Sequence, residues 1–511
     1  MALQGSPRNT PLLANQRILW ITALMALANV QYGFDAAVIA SFQAMEGFLE
    51  IFGYPLPAPK KGYEIATTTQ QLITSFLNVG TIVGVLFTGP FSRYFGRRPG
   101  IWAGSLLGFA GFGVQLGARS VAGLCVGRAL VGASNAFFIT FANSYLAESA
   151  PAHLRSVCSG VLGVTTSVGG LLGTVVPYVT KGVPGRLCYQ IGLACLFVFP
   201  TAMSVGALFI PESPRWLLVR GHPEKAERSL ALLRGHSSTH TQFREELTEM
   251  VHGINEEKAL ASSSPALVDM FRGTDLRRSL LCIGTVTSRA ASGIWVFISY
   301  GTYFYKQAGI HDPFAMSMYN LSAAIVGAVA AVLCSHFLFG RRTMILFATA
   351  AAVLSMMAAA IGGTAAPGSD AAAKNFVAFS VIYNVLYGSF AGSVTWPISA
   401  EVVSSRLRVL TLSVATAVDY VLAWLTAFCS PYFINPAALN WGVKYCWLWA
   451  GSNALAFLFF WFLLPEMKGR SLEEIDEMFE KRVRTKYFST YECDCTRVAT
   501  QDEAKPAALH V

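Results

Sequence analysis

Long apolar runs alternate along this chain with short polar breaks that are mostly basic. Twelve runs approach twenty residues or exceed it, about the length an α-helix needs to cross the hydrocarbon core of a bilayer. They fall at 18–40, 72–92, 101–118, 121–144, 157–180, 190–210, 279–303, 317–339, 344–363, 376–400, 409–430 and 444–464. Several contain Gly and Pro, which membrane helices tolerate where neighbours pack against them. The pattern predicts an all-α membrane protein with twelve transmembrane helices.

The polar breaks repeat. FGRRP at 95–99 returns as FGRRT at 339–343, and AESAPAHLR at 147–155 as AEVVSSRLR at 400–408. Pro211-Glu212 with Arg215 returns as Pro465-Glu466 with Lys468 and Arg470. The chain therefore divides into two six-helix halves, 18–210 and 279–464, joined by a linker at 211–278 and flanked by termini at 1–17 and 465–511. Paired halves with repeated helix-end motifs are the signature of a carrier whose halves rock around a central site.

Composition agrees. Only 13% of the 511 residues are charged, against about 25% in soluble proteins. Basic residues crowd alternate loops: Arg93, Arg97 and Arg98 between spans 2 and 3, Arg341 and Arg342 between 8 and 9, Arg406 and Arg408 between 10 and 11. The positive-inside rule places these loops, both termini and the linker in the cytoplasm. The linker holds ten Lys/Arg and ten Asp/Glu, so the net +9 reflects topology and not a nucleic-acid surface. Residues 1–17 are polar and do not read as a cleavable signal. The ten cysteines form no framework, and a lone Cys493-x-Cys495 in a cytosolic tail is neither a disulfide nor a metal site. Asn320-Leu321-Ser322 matches a glycosylation sequon at a span end. No nucleophile–base or metal-ligand constellation appears, and the GRR turns are too short to cradle a nucleotide. An enzyme, a cofactor and a resident metal are not expected.

GFDAAVIAS (33–41), FGRRP, GRALVG (127–132), AESAPAHLR, PESPRWLLVRG (211–221), FGRRT and PEMKGRSLEEIDEMF (465–479) together resemble the sugar porter branch of the major facilitator superfamily, over the whole length apart from the termini. Within that branch the chain looks most like fungal α-glucoside (maltose-type) permeases, through GFDAA, SYGTYFYKQAG (299–309), SPYFINPAALNWGVK (430–444) and FEKRVRTKYF (479–488).

A charge near the bilayer centre costs about 2.5–3.5 kcal/mol on insertion scales, so each one calls for a partner or a role. Asp35 on helix 1 and Arg128 on helix 4 lie at roughly 8 and 10 Å from the outer end, close enough in depth to meet. The resemblance implies that they are the proton-coupling Asp and its Arg; a static buried ion pair is the alternative. Arg289 on helix 7 and Asp419 on helix 11 both fall at roughly 15 Å depth, near the midplane. They are candidate substrate-site residues, as an ion pair or as an anion grip by Arg289. The family's sugar-binding amides are largely replaced: Arg289-Ala290-Ala291 stands for the helix 7 Gln pair, Gly163 for a Gln and Ile325 for an Asn. The α-glucoside subgroup itself departs from that glutamine pattern. Trp396 occupies the position of the family's cavity Trp, and Trp295 is a second aromatic candidate. The resemblance also implies a conformational ion-pair network of Arg97, Arg98, Glu148, Arg155, Arg341, Arg342, Glu401 and Arg408. Its usual acidic residue three before the motif glycine is here Arg93 or Phe337, so the lock should be looser than in relatives.

The expected function is proton-coupled symport of an α-glucoside or related sugar across a fungal plasma membrane, by a monomer using the proton gradient. Alternatives are a same-fold carrier of a specialised metabolite or organic acid, in either direction, and a non-transporting nutrient sensor.

Overall fold

The structure, a computed structural model, describes residues 16–56, 62–234, 246–255, 267–404, 406–468, 470, 472–488, 491 and 493. Within them are twelve helices long and apolar enough to span a membrane. Spans 1 to 4 are Gln16–Phe42, Thr67–Phe95, Arg97–Gly117 and Val121–Ser149. Span 5 is Ala152–Thr180 and span 6 joins Leu187–Cys195 to Val198–Phe209. Span 7 joins Gly273–Ala291 to Ile294–Gln307, span 8 is Pro313–Phe337 and span 9 is Arg341–Ala365. Span 10 runs Asp370–Tyr383, Asn384–Ser389 and Phe390–Val402, span 11 is Arg408–Ile434, and span 12 is Gly442–Tyr445 with Cys446–Leu463. Most helices extend a few residues beyond their apolar runs.

The two halves pack alike. Span 1 lies on span 5 as span 7 lies on span 11, and span 2 lies on span 4 as span 8 lies on span 10. Close approach needs small residues where lipid supplies no hydrophobic drive. A Cβ on Gly33 would run into the backbone of Thr166, and one on Gly169 into that of Val30. The glycine of the GFDAA motif thus lets span 5 pass directly beside Asp35.

The repeated helix-end motifs bring a carboxylate to the same place in each half. Glu212 accepts from the backbone N–H groups of Arg97 (3.0 Å) and Arg98 (3.2 Å), at the start of span 3. A carboxylate there satisfies orphan donors and complements the helix dipole. Glu466 likewise sits against Gly340 at the start of span 9, where its carboxylate accepts from the N–H groups of Met467 (3.1 Å) and Lys468 (3.1 Å). This is why FGRR and Pro-Glu recur together. Burial pushes the Glu212 carboxyl up, while the N–H groups of Ser213, Arg97 and Arg98 and the Arg97 charge pull it back.

The linker helix Pro223–Arg234 docks on the same face: Arg234 donates to Ser149 O (2.8 Å) and pairs with Glu246 (2.5 Å). That face also carries the Arg-rich turns and is called the basic face below. On the opposite face, helix Glu46–Phe52 and a two-stranded hairpin, Tyr54–Pro55 with Tyr63–Glu64, cover spans 1 and 6 through Phe42, Phe48, Phe52 and Tyr189. This segment lies between the first two apolar runs. Asn320 is 6% exposed; it donates to Tyr305 Oη (2.6 Å) and accepts from Asn384 (2.9 Å). It is a buried network residue inside span 8 and no glycosylation acceptor.

Candidate functional site

The halves meet where span 1 touches span 7, span 2 touches span 11 and span 5 touches span 8. Among the described residues, every hydrogen bond and ion pair between the halves lies toward the opposite face. Thr74 and Tyr300 share a hydrogen bond (2.7 Å), Ser41 and Thr302 another (3.2 Å). Asn435 donates to Thr67 (2.9 Å) and Gln70 (2.8 Å), and Gln70 donates to Gln43 (3.1 Å). Lys306 donates to Ala44 O (3.1 Å), and Lys181 pairs with Asp312 (2.5 Å).

Beneath this clasp lies a cavity of about 880 Å³, counted to its open mouth. Span 1 lines it with Tyr32, Asp35, Ala36 and Ile39, a single helical face at spacings of three, four and seven. Span 2 presents Thr74, Leu77, Asn78, Thr81 and Val85 at the same helical rhythm. Span 4 gives Arg128 and Asn135, span 7 Trp295 and Ser299, span 11 Tyr420.

Asp35 and Arg128 are joined. Nη1 of Arg128 lies 2.9 Å from Oδ1 of Asp35, with the side chains 3% and 1% exposed. Asp35 Oδ2 and Arg128 Nε have no hydrogen-bond partner, so the pair is held by a single contact. Behind it, Gln31 donates to Asn135 (3.0 Å). A carboxylate tied by one bond in a cavity wall can exchange that bond for a proton.

Arg289 and Asp419 are not joined by an ion pair. Asp419 is 5% exposed, with Oδ1 unpartnered. Arg289 occupies the last turn of the first part of span 7 and lies within electrostatic reach of Tyr32, Tyr387, Tyr420 and Asp419. Span 7 breaks directly above it, where Gly293 adopts φ +86°. The carbonyls at the break are taken: Ser292 O accepts from Tyr383 Oη (3.0 Å) and Asn453 (3.0 Å), Ala291 O from Ser452 (2.6 Å). Trp295 lines the cavity with its indole N–H buried and unpartnered. Trp396 is 41% exposed and is not among the cavity-lining residues. Gly163 has open space around it.

At the basic face, Arg97 holds Glu148 by two bonds, of 3.0 and 2.5 Å, and Ser213 Oγ donates to the same carboxylate. Ser92, adjacent to Arg93, accepts from Arg97 (2.9 Å) through its hydroxyl. Arg98 donates to Ala207 O (3.0 Å) and lies over the Trp102 ring. In the other half Arg341 pairs with Glu401, and Arg342 donates to Trp461 O (2.9 Å). Arg408 opens span 11 with its Nε unpartnered. Arg155 lies within span 5, but its side chain is outside the described residues. These pairs tie spans within a half, not across the halves.

Known proteins place this architecture. The model of the family described as "Sugar (and other) transporter" matches residues 21–479. The chain belongs to that family. It is a multi-pass membrane transporter of the major facilitator fold, not an enzyme. It is 27% identical over 471 residues to the major facilitator-type transporter ecdD of Aspergillus rugulosus, covering 90% of this chain and 86% of that one. The general alpha-glucoside permease of Saccharomyces cerevisiae is also 27% identical, over 92% of this chain and 76% of its own length. Among solved structures, the partially occluded inward open conformation of the xylose transporter XylE from E. coli superposes with a TM-score of 0.71. It covers 89% of this chain and 100% of that one at 20% identity, a likeness of fold.

The sequence reading missed Tyr32, Asn78, Asn135 and Tyr420. Tyr32 and Asn135 share helical faces with Asp35 and Arg128, three and seven positions away, and that spacing was the available signal.

Proposed function

We propose that this protein is a proton-coupled symporter that carries a sugar, of the α-glucoside or a related class, into the cell across the plasma membrane. One observation carries the reading: a lone Asp35–Arg128 pair is buried in the wall of the cavity between the halves. Its single contact gives the proton a defined place to act. Protonation of Asp35 from outside frees Arg128 and loosens spans 1 and 4, and release to the cytoplasm restores the pair. With the basic face in the cytoplasm by the positive-inside rule, both termini are cytosolic and the structure is the inward-facing member of the alternating-access cycle. Arg97, Arg98, Glu148, Arg155, Arg341, Arg342, Glu401 and Arg408 act in this scheme on conformation, and the carrier works as a monomer. The kinship with an alpha-glucoside permease supports the sugar class.

A second reading, a same-fold carrier of a non-sugar metabolite or organic acid, is favoured by Arg289, a cation in place of a sugar-binding amide. Uptake of a labelled panel of sugars, polyols and organic acids into yeast lacking its own hexose transporters separates the two. The proposal expects accumulation above the external concentration, abolished by a protonophore. Accumulation that survives the protonophore contradicts it.

A further inference from the structure

We propose that Asn135 is a solute-recognition residue: its side-chain N–H group on span 4 and the Trp295 indole N–H on span 7 donate to hydroxyl oxygens of a neutral, polyhydroxylated ring bound in the cavity. This rests on reading the cavity as the transport site of a sugar carrier, and it assigns the grip on that sugar to one residue of each half.

Asn135 is only 2% exposed, lines the cavity, and lies seven residues from Arg128, on the same face of span 4. Its Oδ1 accepts from Nε2 of the fully buried Gln31 on span 1 (3.0 Å). That bond fixes how the amide is turned, with its oxygen toward span 1. The other end, Nδ2, is buried and has no partner. A buried amide N–H left unmatched costs stability, and such groups are ordinarily satisfied.

The composition of the wall narrows what could satisfy it. Among the described residues, the cavity-lining side chains with a buried, unpartnered polar atom are Asp35, Arg128, Asn135 and Trp295. Asp35 and Arg128 belong to the ion pair. The remaining two are neutral donors, one in each half. On span 2 the polar side chains of the wall are already engaged: Thr81 donates to Leu77 O (2.9 Å), Asn78 to Thr74 O (3.3 Å), and Thr74 to Gln70 O (3.1 Å). Neutral N–H donors match hydroxyl oxygens, whose lone pairs accept. The rings of Tyr32, Trp295 and Tyr420 in the same lining offer flat apolar faces for the C–H side of such a solute. A solute held by spans 4 and 7 together joins the two halves at the cavity, where a carrier with rocking halves binds its cargo.

The competing role for Asn135 is to position the Asp35–Arg128 pair without touching solute, and the two roles differ in what an Asn135 variant changes. The full-length protein is purified and reconstituted in liposomes. Ligand-induced thermal stabilisation and half-saturation of counterflow are measured for methyl α-glucoside and its four monodeoxy derivatives. In the parent protein, loss of at least one hydroxyl should weaken binding about tenfold, the upper end for a neutral hydrogen bond. Asn135→Leu keeps the side-chain volume and removes the donor. It should weaken methyl α-glucoside to the same degree and leave that one deoxy derivative unchanged, so that the two losses do not add. Trp295→Phe should behave likewise toward a different hydroxyl. Accumulation driven by a pH gradient should persist in both variants at saturating solute. If Asn135→Leu does not fold, Asn135→Ser, a smaller change that shortens the donor, decides by the same criteria. The inference is overturned if the Asn135 variant binds all five sugars as the parent does, or if its loss is equal for every one of them. Abolished accumulation at unchanged affinities also overturns it, and makes Asn135 a positioning residue for Asp35. Each of these results leaves sugar transport standing. A parent protein that exchanges neither methyl α-glucoside nor glucose overturns the sugar reading as well.

Discussion

Asp35 and Arg128 tolerate an apolar interior because each compensates the other. Their 2.9 Å contact is almost fully shielded from solvent. Removing one partner strands the other, and such losses run to about 3–5 kcal/mol. Arg128→Ala, which leaves a bare carboxylate, should therefore lower the melting temperature in detergent clearly more than Asp35→Asn, which keeps a hydrogen-bonding amide beside the guanidinium. Equal, small losses would show that the pair is not a buried one. This pair was legible in the sequence, because two opposite charges at matched depth in apolar runs need each other. Arg289 and Asp419 met the same depth criterion and yet do not pair. Depth says how far along a helix a residue lies; the direction it faces depends on the break in span 7. Trp396 shows the same gap between motif position and packing.

At the scale of elements, the spans were legible because a bilayer demands a fixed apolar length. Their internal irregularities were less so. Span 7 breaks at Ser292-Gly293, and span 10 carries a wider turn at Asn384–Ser389. At the span 7 break the freed carbonyls of Ala291 and Ser292 find partners on neighbouring helices, in Ser452, Tyr383 and Asn453. Gly293 holds φ +86°, and a Cβ there would press into the Trp449 ring at 2.5 Å. Gly293→Ala should cost about 1–3 kcal/mol for the backbone strain alone, measured as a fall in melting temperature. Stability equal to that of the parent would mean that the break does not need this conformation. The hairpin at Tyr54–Pro55 and Tyr63–Glu64 was invisible to hydropathy because strands of two residues carry no periodicity.

At the scale of the whole molecule, the internal repeat was the clearest signal. It appears in the structure as matched packing of the two halves and as a carboxylate at the start of spans 3 and 9. Among the described residues, the hydrogen bonds and ion pairs between the halves lie on one face, in the clasp of Thr74–Tyr300, Asn435–Gln70 and Lys181–Asp312. Rocking must break that clasp to admit substrate from the other side. In the proposed cycle, proton coupling would tie the clasp to the Asp35–Arg128 pair, and it is the central proposal. The direct test reconstitutes the full-length protein in liposomes and imposes a pH gradient over equal internal and external substrate. The parent protein should concentrate substrate against its gradient; Asp35→Asn should exchange labelled for unlabelled substrate at a comparable rate yet accumulate none. Accumulation by the Asn variant driven by the pH gradient would contradict the assignment of the proton to Asp35.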